Sequence, residues 1–317
     1  MGDTLAINQA VAPPFPARDV ELADRTVTVR APEPAGTELP PALMVHGLGG
    51  SSLNWTDLMV ELEADLAVEA VDLPGFGYSP APPDGDYTLR AHALVVSRLI
   101  ARQQRGPVHL FGNSMGGAVA LQVAARFPHL VKTLTLVSPA LPQLAPRSSS
   151  IHLPVLSVPG LGERLVQRFS RADPTWRAQA TIDQTYADPA SVHPQRMTEA
   201  IAEVRRRDAS DHAHEALLQS LRGLLASYRD TSQTRPWRLA ERVVCPVLVI
   251  HGRRDQLVDP RGADRAHRHF ADVDVVVLPH CGHVAQMEHP ELVAERWREF
   301  AAKAGQGAPG PDRADTP

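Results

Sequence analysis

The chain has only two cysteines, Cys245 and Cys281, among its 317 residues. Two isolated cysteines are too few for a disulfide framework or for a zinc site with the usual ligand spacing. We therefore expect both to be reduced thiols and expect no metal site.

Long hydrophobic runs are also missing. The most apolar segments, such as 246–250 and 273–278, are far shorter than the roughly 20 residues that a membrane-spanning helix needs. Residues 1–16 contain no Lys or Arg and no uninterrupted apolar stretch like that of a signal peptide. These absences predict a cytoplasmic protein with no stable membrane insertion.

The chain has little excess charge of either sign. Its 32 Lys and Arg residues against 36 Asp and Glu residues give a formal net charge of −4. No chain-wide positive field therefore exists to attract nucleic acid or anionic lipid. The hydrophobic content of 43% is that of an ordinary globular protein. Nucleic acid is not an expected partner, and the sequence leaves the oligomeric state open.

What the sequence does have is a series of short runs rich in Val, Leu and Ile. These runs lie at 42–45, 68–71, 108–111, 133–137, 247–250 and 273–278. Such runs are typical of strands that are buried on both faces of a parallel sheet. Segments between them, such as 91–105 and 118–126, have the apolar spacing of helices. The alternation predicts the α/β class, with a mostly parallel, doubly wound sheet between helices.

One interval breaks this alternation. Between 142 and 236 no run resembles a buried strand, and the composition favours Arg, Pro, Ser and amphipathic helix. We predict that 142–236 is an inserted helical cap and that 1–141 and 237–304 form the core. Residues 305–317 are rich in Gly, Pro and Ala without periodicity, which predicts a disordered tail.

Two patterns within the insert have a structural and a functional interpretation. Helical spacing relates six apolar residues, Leu217, Leu218, Leu221, Leu224, Leu225 and Tyr228. We favour packing of this stripe onto the core over a role as the roof of a substrate pocket. The run at 205–207 consists of three arginines that would be able to bind an anionic group, but such runs are usually solvated helix faces, and we favour that interpretation.

The residues Gly112-Asn113-Ser114-Met115-Gly116-Gly117 lie directly between a predicted strand and a predicted helix. Gly-x-Ser-x-Gly in this context predicts a nucleophile elbow, a tight turn that exposes the serine hydroxyl. Glycines two residues on either side avoid clashes in the strained turn. The turn also places the Met115 N–H at a helix N-terminus, where a developing oxyanion is stabilised.

A serine hydroxyl needs a base to take its proton, and the base needs an orienting acid. Asp255 follows the run at 247–250, and His283 follows the run at 273–278. The order Ser114, Asp255, His283 is that of α/β-hydrolases. Asp259 and His280 are the alternatives. We prefer Asp255 because it is closer to the strand end, and His283 because Gly282 frees its loop.

A glycine-rich loop at 46–52 follows the first run, and it can direct a backbone N–H into the same site. We expect the Leu48 N–H to join that of Met115 as an oxyanion-hole donor. His46 is interpreted as a structural residue of this loop. A second loop at 72–79 follows the next run. Neither loop has the glycine spacing of a phosphate-binding motif, so nucleotide binding is not expected.

Across about 42–301 the sequence resembles the α/β-hydrolase superfamily, in the branch with a lid after the sixth core strand. The resemblance rests on His-Gly-Leu-Gly-Gly at 46–50, Asp-Leu-Pro-Gly-Phe-Gly-Tyr-Ser at 72–79, the serine motif at 112–117 and Gly-His at 282–283. It implies an eight-stranded sheet, a mobile cap and an acyl-enzyme on Ser114 that water attacks. It implies no metal or organic cofactor.

The resemblance leaves the reaction open among several chemistries. The serine motif and the sequence at 285–289 are similar to carbon–carbon bond hydrolases of vinylogous diketones. Those enzymes usually have tryptophan after the histidine, where this chain has Val284. We therefore expect hydrolysis of a carboxylic ester with an apolar acyl group first, and carbon–carbon hydrolysis second. Acyl transfer and a non-enzymatic binding protein of the same fold are further alternatives.

Overall fold

A computed structural model describes residues 11–33, 38–143 and 152–306. Eight strands form one sheet: β1 (Ala17–Glu21), β2 (Thr26–Arg30), β3 (Pro41–Val45), β4 (Ala67–Val71), β5 (Val108–Asn113), β6 (Val131–Val137), β7 (Val247–Gly252) and β8 (Val273–Leu278). Their order across the sheet is β1-β2-β4-β3-β5-β6-β7-β8. β2 pairs antiparallel with β1 on one side and with β4 on the other, and the six strands β3–β8 run parallel to one another. The predicted α/β class and the eight-stranded sheet are confirmed.

Six helices cover the two faces of the sheet. Their bounds are α1 (Thr56–Leu62), α2 (Leu89–Gln103), α3 (Met115–Arg126), α10 (Ala263–His269), α11 (Ala285–Glu288) and α12 (Pro290–Gln306). One core cluster packs α2 and α3 on one face, and a second packs α1, α11 and α12 on the other. The sheet is therefore doubly wound, as predicted.

The described residues between β6 and β7 include six further helices. They are α4 (His152–Leu156), α5 (Leu161–Phe169), α6 (Pro174–Thr185), α7 (Pro194–Asp208), α8 (Ala213–Arg229) and α9 (Pro236–Ala240). No strand occurs in 138–143 or 152–246, the described parts of this insertion. The helical character of the insertion agrees with the sequence, while its separation as a cap domain at 142 and 236 stays a prediction.

The apolar stripe of α8 packs against the core in part. Leu224 is buried in the same cluster as α2 and α3, and Tyr228 packs against that cluster. His92 of α2 is also buried, with its Nε2 3.1 Å from the Oγ of Ser220 on α8. The packing interpretation of the stripe is therefore right for these positions.

The predicted tail at 305–317 is described only at its start. The helix α12 runs to Gln306, so Gly305 and Gln306 are helical although the tail was predicted to start at 305. The rest of the predicted disordered tail, 307–317, and residues 1–10 lie outside the described residues. Both cysteines are free and buried. Among the described helices, none combines the length and the apolar character that crossing a bilayer requires.

Candidate active site

Ser114 lies at the sharp turn between β5 and α3. Its φ of 54° and ψ of −120° fall where residues other than glycine are rare. Its N–H donates to the carbonyl oxygen of Val137 at 3.0 Å, and its own carbonyl oxygen accepts from the N–H groups of Gly117, Ala118 and Ala140. The unusual backbone conformation is thus held by hydrogen bonds from both sides.

The glycines of the serine motif leave the space that this turn needs. A Cβ on Gly112 would overlap the carbonyl oxygen of Gly116. A Cβ on Gly116 would overlap the carbonyl oxygens of Val45 and His46 on the neighbouring strand. Because these clashes are with backbone atoms, no side-chain rotation relieves them. Glycine at both positions is a steric requirement of the turn.

His283 and Asp255 meet beyond the C-terminal ends of β8 and β7. The His283 Nδ1 lies 2.8 Å from the Asp255 Oδ2, and both side chains are buried. The Asp255 Oδ1 accepts hydrogen bonds from the N–H groups of Leu257 and Val258 at 2.8 and 2.9 Å. With Nδ1 donating to the carboxylate, Nε2 is the basic nitrogen of the ring.

The carboxyl group of Asp255 is held in its charged form. Burial acts to raise the pKa of Asp255, but the neighbouring charge of His283 and the hydrogen bonds to the carboxylate outweigh it. The pKa of Asp255 is therefore lower than that of an ordinary aspartate. A charged carboxylate at this position fixes the tautomer of the imidazole and stabilises the imidazolium ion.

Asn113 connects the histidine loop to the serine turn. Its side-chain Nδ2 donates to the carbonyl oxygens of Val137 and His283, each at 3.1 Å. Because Asn113 directly precedes Ser114, this contact brings the backbone of His283 to the residue beside the serine. Sequence reasoning assigned Asn113 no role, although its place inside the serine motif was a signal for one.

His280 and Asp259, the alternatives for the base and the acid, both contact arginines. His280 is exposed, and its Nδ1 lies 3.3 Å from a guanidinium nitrogen of Arg254. The Asp259 carboxylate accepts hydrogen bonds from the backbone N–H and the Nε of Arg261. Asp255, not Asp259, is the carboxylate to which the His283 Nδ1 donates.

The loop at 46–52 lies directly against the serine. A Cβ on Gly47 would lie 3.1 Å from the Cβ of Ser114. Leu48, the next residue, is the predicted donor on this side of the serine. Met115 is the first residue of α3, so its N–H has no acceptor within the helix. Met115 thus directly follows Ser114, and Leu48 directly follows Gly47, which contacts the serine.

The side chain of His46 connects the loop at 46–52 to the loop at 72–79. It is fully buried, with Nδ1 2.7 Å from the Gly47 carbonyl oxygen, and Nε2 accepts from the N–H of Leu73 at 3.0 Å. A neutral ring with the proton on Nδ1 satisfies both contacts. Burial lowers the pKa of His46 and favours this neutral form. The geometry agrees with the interpretation of His46 as a structural residue.

Asp72 joins the two glycine-rich loops, a contact that the sequence did not reveal. Its buried carboxylate accepts from the N–H of Ser52 at 2.6 Å and from the N–H of Tyr78 at 2.9 Å. A Cβ on Gly77 would overlap this carboxylate, and Gly77 has a φ of 54°. The loop at 46–52 is thus held in place from the neighbouring strand.

Cys281, Glu288 and His289 place possible metal ligands close together, within 4.8 Å of one another. However, the two oxygens of Glu288 accept from the N–H groups of Gly282 and Ala187, each at 2.7 Å. Burial raises the pKa of the Cys281 thiol, which keeps it protonated. The cluster therefore supports the histidine loop by hydrogen bonds, and we assign no metal to it.

The sequence is similar to several characterised proteins. It is 32% identical over 83% of this chain to the dihydrolipoyllysine-residue acetyltransferase component of an acetoin cleaving system from Pseudomonas putida, and the match spans 64% of that protein. It is 29% identical over 81% of this chain and 91% of a pimeloyl-[acyl-carrier protein] methyl ester esterase from Neisseria meningitidis.

A third relative is named as a hydrolase of a dienoic acid. The chain is 29% identical, over 83% of its length and 84% of the relative, to a 2-hydroxy-6-oxo-6-(2'-aminophenyl)hexa-2,4-dienoic acid hydrolase from Metapseudomonas resinovorans.

Residues 40–290 match the family model described as alpha/beta hydrolase fold, which agrees with the sheet order and the serine turn. The chain belongs to the alpha/beta hydrolase fold family.

Proposed function

We propose that the protein hydrolyses carboxylic esters through a covalent acyl-enzyme on Ser114. The observation that carries the proposal is the buried hydrogen bond between His283 Nδ1 and Asp255, beside a serine held in a strained turn. An orienting acid, a base and an exposed nucleophile are the three groups that this chemistry needs. The esterase among the relatives supports the same reaction class.

In the first half of the reaction, the Ser114 Oγ attacks the acyl carbon and its proton passes to His283 Nε2. The N–H groups of Leu48 and Met115 stabilise the resulting oxyanion, each contributing about 10²- to 10³-fold in rate. The tetrahedral intermediate then collapses, the bond to the alcohol oxygen breaks, and the leaving alcohol takes the proton from His283. Asp255 stabilises the imidazolium ion throughout.

In the second half, water attacks the acyl-enzyme. His283 Nε2 takes a proton from the water, and the same two N–H groups stabilise the second oxyanion. Collapse returns the proton to Ser114 Oγ and releases the carboxylic acid. The proposed substrate is a small ester with an apolar acyl group.

The first experiment is labelling with a fluorophosphonate probe, read by intact mass, on the wild type and on Ser114→Ala. We expect one probe per wild-type chain and none on the variant. Ser138→Ala is the matched control, because Ser138 also has a positive φ at the end of the adjacent strand β6. Its labelling should equal that of the wild type.

A series of p-nitrophenyl esters of increasing acyl length is measured on the same proteins. Ester turnover that Ser114→Ala abolishes supports the proposal. Labelling of Ser114 without ester turnover contradicts ester hydrolysis and favours acyl transfer or carbon–carbon hydrolysis. A folded wild type that takes up no probe contradicts a serine nucleophile and favours a binding protein.

Carbon–carbon bond hydrolysis is the second candidate. It is favoured by the similarity to the Metapseudomonas resinovorans hydrolase together with the serine motif at 112–117. The two candidates differ in substrate, so a vinylogous diketone of the aromatic ring-cleavage type is assayed beside the esters. Diketone turnover with a kcat/KM above that of every ester would replace the first candidate by the second.

A further inference from the structure

Five arginines of the insertion are largely shielded from solvent, and four of them have a carboxylate partner. The four ion pairs are Arg177 with Asp208, Arg196 with Asp57, Arg206 with Glu203, and Arg222 with Glu163. The fifth, Arg207, forms no ion pair with any carboxylate in the described part of the chain. A shielded guanidinium without a counter-charge is unusual, because desolvation of a charge is costly.

The hydrogen bonds of Arg207 leave most of its donors unused. A guanidinium offers five N–H donors. Arg207 Nη1 donates to the carbonyl oxygen of Gly49 at 3.1 Å, and its Nε is shielded from solvent without an acceptor among the described residues. Burial lowers the pKa of Arg207, and the nearby charges of Glu203 and Asp208 do not offset that effect. The remaining donors are suited to a planar anion that accepts two parallel hydrogen bonds.

The position of Arg207 relates this cation to the serine. Gly49 belongs to the loop at 46–52, and Gly47 of that loop contacts Ser114. Two residues of extended backbone span at most about 7 Å, so the guanidinium lies within reach of a short substrate bound at Ser114. Leu217 of α8 lies beside Gly49 and provides an apolar wall next to the cation.

We propose that Arg207 binds a carboxylate carried by the substrate, so that the preferred esters are short half-esters of dicarboxylic acids. The proposal rests on the proposed ester hydrolysis at Ser114 and specifies its substrate class. The ester end would lie at Ser114, the apolar chain would run along the Leu217 wall, and the free carboxylate would pair with Arg207. A hydrogen-bonded pair of this kind contributes about 1.5–3 kcal/mol, which is about ten- to a hundredfold in affinity.

The experiment compares monomethyl esters of dicarboxylic acids, from succinate to suberate, with methyl esters of the unbranched monocarboxylic acids of equal length. We expect the wild type to prefer one of the charged esters at least about tenfold in kcat/KM. Arg207→Met should lower the ratio of charged to neutral ester at least about tenfold, mainly through KM. Arg207→Lys should keep part of the preference, because it keeps the charge but loses the planar fork.

The matched control is Arg205→Met, because Arg205 is exposed on the same helix. The ratio of kcat/KM for the charged ester to kcat/KM for the neutral ester should be the same in Arg205→Met as in the wild type. An equal loss for both ester types in Arg207→Met would overturn the proposal, since it would mean that Arg207 only holds the loop through Gly49. An unchanged ratio would overturn it as well.

A binding measurement separates this proposal from ester hydrolysis itself. Calorimetric titration of the half-esters into the Ser114→Ala protein, with and without Arg207→Met, needs no turnover. We expect the Kd of the best half-ester to rise at least about tenfold on Arg207→Met and the Kd of the neutral ester to change less. If the half-esters bind in this way but no ester is cleaved by the wild type, the function proposed for Ser114 fails while the carboxylate site stands. Equal Kd values in both backgrounds would refute the carboxylate site.

Discussion

The backbone N–H of His283 donates to the carbonyl oxygen of Thr185, 2.6 Å away. Thr185 is the last residue of α6, so the proposed catalytic base is hydrogen-bonded to the insertion. Gly282 lies so close to this segment that a Cβ on it would overlap the Thr185 carbonyl oxygen. Glu288 adds a second connection, since it accepts from Gly282 on one side and from Ala187 on the other. Movement of this part of the insertion and placement of His283 are therefore coupled.

Glu288→Gln should weaken this connection. A glutamine side chain can accept from only one of the two N–H groups, because its NH₂ group would face the other donor. Loss of one charge-assisted hydrogen bond is expected to cost about 1.5 kcal/mol, and if that cost falls on the placement of His283, kcat falls about tenfold with a smaller change in KM. Steady-state kinetics on an ester substrate measures the effect.

The control for this variant is Glu291→Gln, because Glu291 is an exposed glutamate close by in the sequence. Its kcat should stay within a factor of two of the wild type. If the two variants had the same kcat, Glu288 would have no positioning role.

His283→Ala should remove the base and lower kcat at least about 10³-fold while the fold is retained. His280→Ala should have a mild effect, because His280 is exposed and contacts Arg254 rather than Asp255. Ester turnover measured together with far-UV circular dichroism compares the two. Equal and complete loss in both folded variants would undo the assignment of His283.

Asp255→Asn should lower kcat up to about 10⁴-fold, because an amide can impose the wrong tautomer on His283. Asp259→Asn is the matched control, since its carboxylate pairs with Arg261 at the start of a short 3₁₀ helix. We expect it to affect stability more than turnover. A larger loss of kcat in Asp259→Asn than in Asp255→Asn would exchange the two assignments.

Two buried histidines predict how stability depends on pH. Burial lowers the pKa of His92 to about 3 and the pKa of His251 to about 4. Their pKa in the unfolded chain is about 6.5, so between about pH 6.5 and 4 the unfolded state binds more protons than the folded state. The free energy of unfolding should therefore fall as the pH falls through this window, by up to about 1.4 kcal/mol per pH unit for each histidine.

Urea denaturation at pH 7 and pH 5 measures this dependence. His92→Gln should reduce the difference in the free energy of unfolding between pH 7 and pH 5 by the contribution of one histidine. The exposed His280 serves as the control, and His280→Gln should leave the difference unchanged. A wild type that is equally stable at both pH values would contradict burial of these rings in the neutral form.

The local patterns of the sequence predicted six of the eight strands. The runs from 42–45 to 247–250 correspond to β3–β7, because strands buried on both faces need continuous apolar residues. The run at 273–278 corresponds to β8, a half-buried strand at the other edge of the sheet. The pattern missed β1, whose side chains are mostly exposed at the edge of the sheet. It also missed β2, whose residues Thr26–Arg30 alternate polar and apolar as in a strand with two different faces.

The remaining contacts of the candidate site join residues that are far apart in the sequence. Asn113 and His283 are separated by 170 residues, and Ala187 and Glu288 by 101 residues. No local pattern encodes such pairs, because they depend on how the insertion and the loops fold back over the sheet. The interpretation of the arginines at 205–207 as a solvated face also treated them alike, whereas Arg205 is exposed and Arg207 is shielded.

The backbone conformation of Ser114 lowers the stability of the fold. A residue other than glycine in a sparsely populated region of φ and ψ costs about 1–3 kcal/mol, and the hydrogen bonds around Ser114 hold it there. Glycine adopts such angles readily, so Ser114→Gly should relieve part of this cost and raise the melting temperature. Under the proposed function, the hydroxyl group of Ser114 is therefore kept at a cost in the stability of the fold.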